Sequence, residues 1–174
     1  MVATLHILLA ILVVSYLVPI GIVGTHAWQN PTQFASISHV WCHPTNQSWV
    51  CGSMGVMGAA ALLYEGVRAR RTGEWVSFLW MAGVVAGIGE LLCFPVTHTW
   101  HYVGAFLACG SILGWMAWQA WQAARSVAWI QVVLQAGLLA GLARELSRGG
   151  EGDLLVWEAL YLANFAVAFW LRHG

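Results

Sequence analysis

Two histidines and two carboxylates have the types and spacing that acid–base or metal chemistry uses. His98 and His101 lie three residues apart after a turn that contains Pro95, and Glu90 precedes that turn inside an apolar run. Glu158 lies near the start of the last apolar run. Histidine and carboxylate side chains bind zinc, and a carboxylate beside an imidazole can act as a general acid or base. These four residues are therefore the first candidates for a functional site.

Three interpretations of this group stay open: a zinc site, an acid–base site for ester or amide hydrolysis, and a buried polar network that fixes helix packing. The sequence has no H-E-x-x-H motif and no cysteine pair at zinc spacing, so we expect no resident metal and favour the structural network. A carboxylate at membrane depth is costly without a partner. We therefore expect Glu90, His101 and Glu158 to approach one another, with Ser38 and His39 lying over them.

The composition indicates that these residues lie in a membrane. Of 174 residues, 60% are hydrophobic and only 8% are charged, whereas soluble domains carry about 25% charged residues. So little sequence lies outside the apolar runs that residues 1–174 are expected to form a single domain. The net charge is zero and no basic patch occurs, which argues against nucleic acid as a partner.

Six apolar runs are close to the length of about 20 residues that a helix needs to cross hydrocarbon. They cover residues 5–23, 49–66, 75–93, 100–121, 127–142 and 154–171. The sequence therefore predicts an all-α integral membrane bundle of six transmembrane helices without a sheet.

The arginines predict the orientation of this bundle, since the chain contains no lysine. Those on the side of both termini are Arg68, Arg70, Arg71, Arg125 and Arg172, and those on the other side are Arg144 and Arg148. Five arginines on the side of the termini and two on the other side predict that both termini are cytosolic, because cytosolic loops carry the excess of positive charge. The candidate polar residues then lie towards the opposite, outer side.

One long polar loop, residues 25–48, is expected on that outer side. Cys42 and Cys51 lie close enough in sequence to form a candidate disulfide, with two unrelated thiols as the equal alternative. The sequon at Asn46 is a candidate glycosylation site. Both modifications require that this side of the membrane is lumenal or extracellular.

Pairs of glycines four residues apart occur in three of the expected helices. Such pairs let helix backbones approach closely in a membrane, so they predict tight packing. The pairs are Gly83 with Gly87, Gly110 with Gly114, and Gly137 with Gly141.

Several short motifs resemble the DRAM/Frag/Sfk family, which includes autophagy modulators and Golgi cofactors of GPI-anchor remodelling. The segment 36–39 (SISH), followed by Pro44 and the GSMG at 52–55, resembles the family's I-S-D…P…G entrance to a span. The HYVGAF at 101–106 resembles the family's H-x-x-G-A motif, and Glu158 resembles the acidic residue of its last span. His39 replaces the family's aspartate, which removes the carboxylate from that position.

The resemblance implies six spans with cytosolic termini and lipid-linked work in endomembranes or at the plasma membrane. The sequence as a whole favours a non-enzymatic membrane protein: a lipid-handling cofactor or an accessory subunit of a membrane assembly. Its expected partners are membrane lipids and other membrane-protein subunits. The alternative is a membrane-embedded hydrolase or acyltransferase that uses the outer Glu/His cluster, with or without zinc.

Overall fold

The computed structural model describes residues 2–29, 36–148 and 154–173, and all of its regular elements are helices. Six helices are long and apolar enough to cross a membrane, which confirms the prediction of an all-α bundle of six transmembrane helices. A short seventh helix, α2, joins the first two. The helices are α1 (Val2–Gln29), α2 (Ile37–Trp41), α3 (Pro44–Thr72), α4 (Val76–Cys93), α5 (Thr99–Ala123), α6 (Ser126–Ser147) and α7 (Leu154–His173).

Local sequence signals explain where these helices begin and end. Pro44 is the first residue of α3, a position where its missing N–H has no intrahelical partner to lose. Gly73 ends α3 with a φ of 73°, a left-handed conformation that glycine adopts without steric cost. Ser36 caps α2 by accepting a hydrogen bond from the backbone N–H of His39.

Helix α3 is longer than its apolar run. It begins five residues earlier than residue 49 and continues to Thr72, so much of the expected arginine-rich turn is helical. Because α1 extends to Gln29 and α2 occupies Ile37–Trp41, the polar segment 25–48 is also mostly helical in its described part. Helix formation here satisfies the backbone N–H and C=O groups near the membrane surface.

The closest helix pair is α4 with α5, and glycines permit this contact. A Cβ atom on Gly104 of α5 would lie 2.7 Å from the carbonyl oxygen of Gly87 in α4. Gly83 of α4 faces Ser111 of α5. Gly110 and Gly137 meet no atom within 4 Å at their Cβ positions, so only part of the glycine pattern serves packing between helices.

Polar side chains join the remaining helices inside the bundle. The fully buried Gln135 of α6 donates to the Tyr161 carbonyl oxygen of α7 and accepts from Asn164 of that helix at 2.6 Å. The Tyr161 hydroxyl donates to the Cys109 carbonyl oxygen of α5 at 2.7 Å. Hydrogen bonds of this kind stabilise helix association where lipid tails are as apolar as the side chains.

A separation between two groups of helices leaves space inside the bundle. Helices α1 and α3 pack against each other, but in the described chain no Cα atom of α7 lies within 8 Å of either helix. Side chains partly bridge this space, for example Tyr64 of α3 and Phe169 of α7, whose ring centroids are 6.4 Å apart. The fold therefore leaves an internal cleft between the α1–α3 pair and α7.

Candidate functional site

The cleft has a volume of about 740 Å³ and receives residues from all seven helices. Ligand sites in proteins commonly measure about 300–1,000 Å³ and are lined mainly by apolar groups. Glycines contribute to the space, because Gly55 of α3 and Gly89 of α4 line the cleft with no atom within 4 Å of their Cβ positions. The cleft is large enough to hold a molecule rather than one or two waters.

The lining of the cleft is almost entirely apolar. Leucine, valine, alanine, methionine and aromatic side chains form most of it, and towards the end of α7 the wall includes Phe165 and Phe169. Both rings pack against Trp115 of α5 at centroid distances of 5.7 Å. Among the lining residues, Glu158 is the one whose side chain ordinarily carries a charge. A single acidic group therefore marks one end of a hydrophobic site.

Glu158 contacts the backbone of the short helix α2. Its Oε2 atom accepts a hydrogen bond from the backbone N–H of Ile37 at 2.5 Å. Ser38, the next residue, is buried and lines the same cleft. The carboxylate thus binds one of the backbone N–H groups that the first turn of a helix leaves without an intrahelical acceptor.

Helix α2 is attached to the bundle through three further contacts, so it covers this end of the cleft. The Trp41 indole Nε1 donates to the Pro19 carbonyl oxygen of α1 at 3.4 Å. The Asn46 amide donates to the Val40 carbonyl oxygen at 2.9 Å, and the Cys42 thiol lies 3.9 Å from the Leu91 carbonyl oxygen of α4. We call the end of the bundle that carries α2 the α2 end.

The structure gives the predicted cluster residues separate partners. His101 is buried, and its Nδ1 lies 2.9 Å from the Leu91 carbonyl oxygen and 3.1 Å from that of Phe94. These carbonyl groups lie at the C-terminal end of α4, where they lack intrahelical donors. His101 therefore supplies a hydrogen-bond partner to the end of this helix. The Glu90 Oε2 atom is buried without a hydrogen-bond partner in the described chain. No hydrogen bond joins Glu90, His101 and Glu158.

The other histidines of the predicted cluster form hydrogen bonds with residues two or three positions away in sequence. His98 caps α5 by accepting a hydrogen bond from the Trp100 backbone N–H at 3.2 Å. His39 is exposed, and its Nδ1 pairs with the Ser36 hydroxyl at 2.9 Å. In the part of the chain that the structure describes, no three histidine, cysteine or acidic side chains are grouped as metal ligands. His98 therefore caps α5, and His39 pairs with the residue that caps α2.

The cysteine pair and the sequon belong to the α2 end. Cys42 and Cys51 are both free thiols in the structure. Burial, and to a smaller degree the neighbouring Cys51, raises the pKa of the Cys42 thiol, which lowers the thiolate fraction that disulfide exchange needs. Asn46 is buried, and its amide nitrogen already donates to a backbone carbonyl. The fold therefore uses Asn46 to connect α3 with α2.

The cleft itself has only a weak sequence signal. Its glycines on α3 and α4 look the same in sequence as glycines that pack helices, and its apolar wall looks like any transmembrane face. Glu158 was recognisable as an unusual membrane carboxylate, but its partner is a backbone N–H, which no side-chain pattern reveals. The three-dimensional separation of α7 from α1 and α3 was needed to find the site.

Comparison of the chain with protein-family models, with curated proteins and with solved structures finds no match.

Proposed function

We propose that this polytopic membrane protein binds a long-chain lipid in its central cleft and acts as a lipid-handling cofactor or accessory subunit. The observation that carries the proposal is the apolar cleft of about 740 Å³ with one carboxylate at its α2 end. A hydrocarbon chain matches the lining, and the polar head would lie beside Glu158 and Ser38. Apolar cavities of this size bind apolar ligands rather than water.

A path for the lipid is available within the membrane plane. Helices α1 and α7 carry large exposed apolar side chains, and they do not approach each other within 8 Å between Cα atoms in the described ranges. A lipid chain can enter between them without crossing a polar surface. Because bilayer and cleft are both apolar, the transfer of the chain itself gains little free energy. Shape and head-group contacts then decide which lipid is bound.

The separate roles of the histidines and carboxylates support a non-enzymatic protein. A hydrolase or acyltransferase needs a nucleophile, a base and a group that orients the base within hydrogen-bond reach. Here His98 and His101 interact with helix termini, and Glu158 binds a backbone N–H. Lipid-linked work is also what the resemblance to the DRAM/Frag/Sfk family implies. Other membrane-protein subunits remain the proposed protein partners, in endomembranes or at the plasma membrane.

Filling the cleft tests the proposal. Gly55→Leu and Gly89→Leu each place a side chain in open space on the cleft wall. We expect the amount of lipid that co-purifies in mild detergent to fall severalfold, because the added side chain occupies the volume of the lipid chain. Mass spectrometry of lipids extracted from equal amounts of protein measures this.

Glycines outside the cleft supply the controls for this test. Gly110 and Gly137 also lie in open space within membrane helices, but they do not line the cleft. Gly110→Leu and Gly137→Leu should leave the bound lipid unchanged. Equal lipid content in all four variants and the unsubstituted protein would contradict the proposal.

We also propose that both termini lie in the cytosol, as the arginine asymmetry predicts. Single cysteines placed at the exposed Thr45 and Arg70 in a variant without native cysteines should react with a membrane-impermeant maleimide from opposite sides. Labelling of intact cells or sealed vesicles before and after permeabilisation measures the sides. Thr45 should be labelled from outside or from the lumen, and reaction of both positions from one side would overturn this orientation.

A further inference from the structure

The described residues that line the cleft include an acidic side chain but no basic one. Glu158 lines it, whereas no arginine or histidine of the described chain does. The ion pairs formed by the described residues use Glu65, Glu74 and Glu145 and leave Glu158 out. A carboxylate in such surroundings requires a hydrogen-bond donor, a cation or a proton.

One of the two oxygens of the Glu158 carboxylate is available to a ligand. Oε2 accepts from the Ile37 backbone N–H, while Oε1 has no hydrogen-bond partner in the described ranges. Ser38 supplies a hydroxyl on the same wall of the cleft. The α2 end of the cleft therefore presents acceptor oxygens, one of them on a group that can carry negative charge, to whatever enters.

We propose that the lipid bound in this cleft is a long-chain amine, whose ammonium head pairs with Glu158. The inference rests on the proposed function, and it specifies the chemistry of the head group. An ammonium group donates hydrogen bonds to Oε1 and neutralises the carboxylate, which removes the cost of a lone charge at membrane depth. A fatty acid or phosphate head group would instead place a second negative charge beside Glu158, without an arginine or lysine to balance it.

Three photoreactive probes of equal chain length separate the head-group chemistry from chain binding. Each carries a diazirine in its alkyl chain, and the heads are a primary amine, an alcohol and a carboxylic acid. The purified full-length protein is placed in phosphatidylcholine nanodiscs with each probe and irradiated. Mass spectrometry then quantifies adducts on peptides that line the cleft. We expect the amine to label these peptides about tenfold more than the alcohol, since charge-assisted hydrogen bonds are stronger than neutral ones. The acid should label them least.

Glu158→Gln tests the role of the carboxylate. Labelling by the amine probe should fall about tenfold in this variant, whereas labelling by the alcohol probe should stay the same. Glutamine keeps an acceptor oxygen but removes the charge. Glu145→Gln is the matched control, since Glu145 is also a helix carboxylate but does not line the cleft. It should label like the unsubstituted protein.

The outcomes distinguish this inference from the proposed function. Equal labelling by amine and alcohol, or strongest labelling by the acid, would overturn the amine assignment while cleft binding stands. Absence of adducts in the cleft with all three probes would overturn both. If Glu158→Gln does not fold, the comparison of the three probes on the unsubstituted protein still decides the question.

Discussion

Gly104→Leu is expected to prevent recovery of the folded protein. The Cβ atom that this change adds would lie 2.7 Å from both the Gly87 carbonyl oxygen and the Leu91 backbone nitrogen. These are backbone atoms of α4, which cannot rotate away as a side chain does. Overpacking in a core costs about 1–3 kcal/mol and more where the backbone must move. Because α4 and α5 form the closest helix pair, the change should separate them.

The measurement is the fraction of monodisperse protein on size-exclusion chromatography, together with the midpoint of thermal unfolding. Gly110→Leu is the matched control on the same helix, since the Cβ position of Gly110 meets no atom within 4 Å. It should keep both values close to those of the unsubstituted protein. Equal behaviour of the two leucine variants would show that the α4–α5 contact is looser than the structure indicates.

The fold class could be predicted because its cause is local. Each span is an apolar run of sufficient length, and only helices or closed barrels satisfy their backbone groups in lipid. The apolar run predicted residues 49–66 for the second span, whereas α3 runs from Pro44 to Thr72. The number of membrane-spanning helices therefore follows from the length and composition of the apolar runs, without any knowledge of how the helices pack.

Helix packing was less predictable, because a glycine pair does not state which face meets a neighbour. Gly83 and Gly87 do contact α5, whereas Gly110 and Gly137 face open space. Gly104, which makes one of the closest contacts, belongs to none of the predicted pairs. These differences depend on helix rotation, which is set by contacts among distant parts of the chain.

The contacts of the candidate site were also less predictable from the sequence than the residues that form it. Glu158 was identified from its type and depth, but its hydrogen-bond donor, Ile37, is 121 residues away and uses its backbone. His101 was expected to pair with a carboxylate, yet it contacts two carbonyl oxygens at the end of α4. Unsatisfied helix ends compete with carboxylates for a histidine, and the nearer partner has the smaller entropic cost.

Arg68 was counted as one of several loop arginines, but the structure makes it the centre of an ion network at the end opposite α2. Its Nε lies 2.8 Å from an oxygen of the fully buried Glu65, and its Nη2 lies 2.9 Å from Glu74. Partial burial acts to raise the pKa of Glu74, but hydrogen bonds from Ser77 and the charge of Arg68 outweigh it and hold that pKa below its usual value. The Trp118 indole also donates to Glu74, which connects the turn between α3 and α4 to α5.

Arg68→Met is therefore expected to destabilise the protein by about 3–5 kcal/mol, the range measured when one partner of a buried ion pair is removed. The methionine keeps an unbranched side chain but removes the charge that compensates Glu65. Arg70→Met is the matched control, because Arg70 is an exposed neighbour without an ion pair in the described chain. Its expected change is within about 0.5 kcal/mol. Unfolding of each variant in mixed detergent micelles with increasing denaturant gives the free energies.

A double variant identifies the cause of the loss. If destabilisation comes from the uncompensated charge of Glu65, Glu65→Gln combined with Arg68→Met should recover much of the stability lost in Arg68→Met alone, because the glutamine leaves no buried charge. If the loss instead comes from the packing of the arginine stem, the double variant should be as unstable as Arg68→Met or more so. A change below about 1 kcal/mol in Arg68→Met would contradict the network as a stabilising element of the bundle.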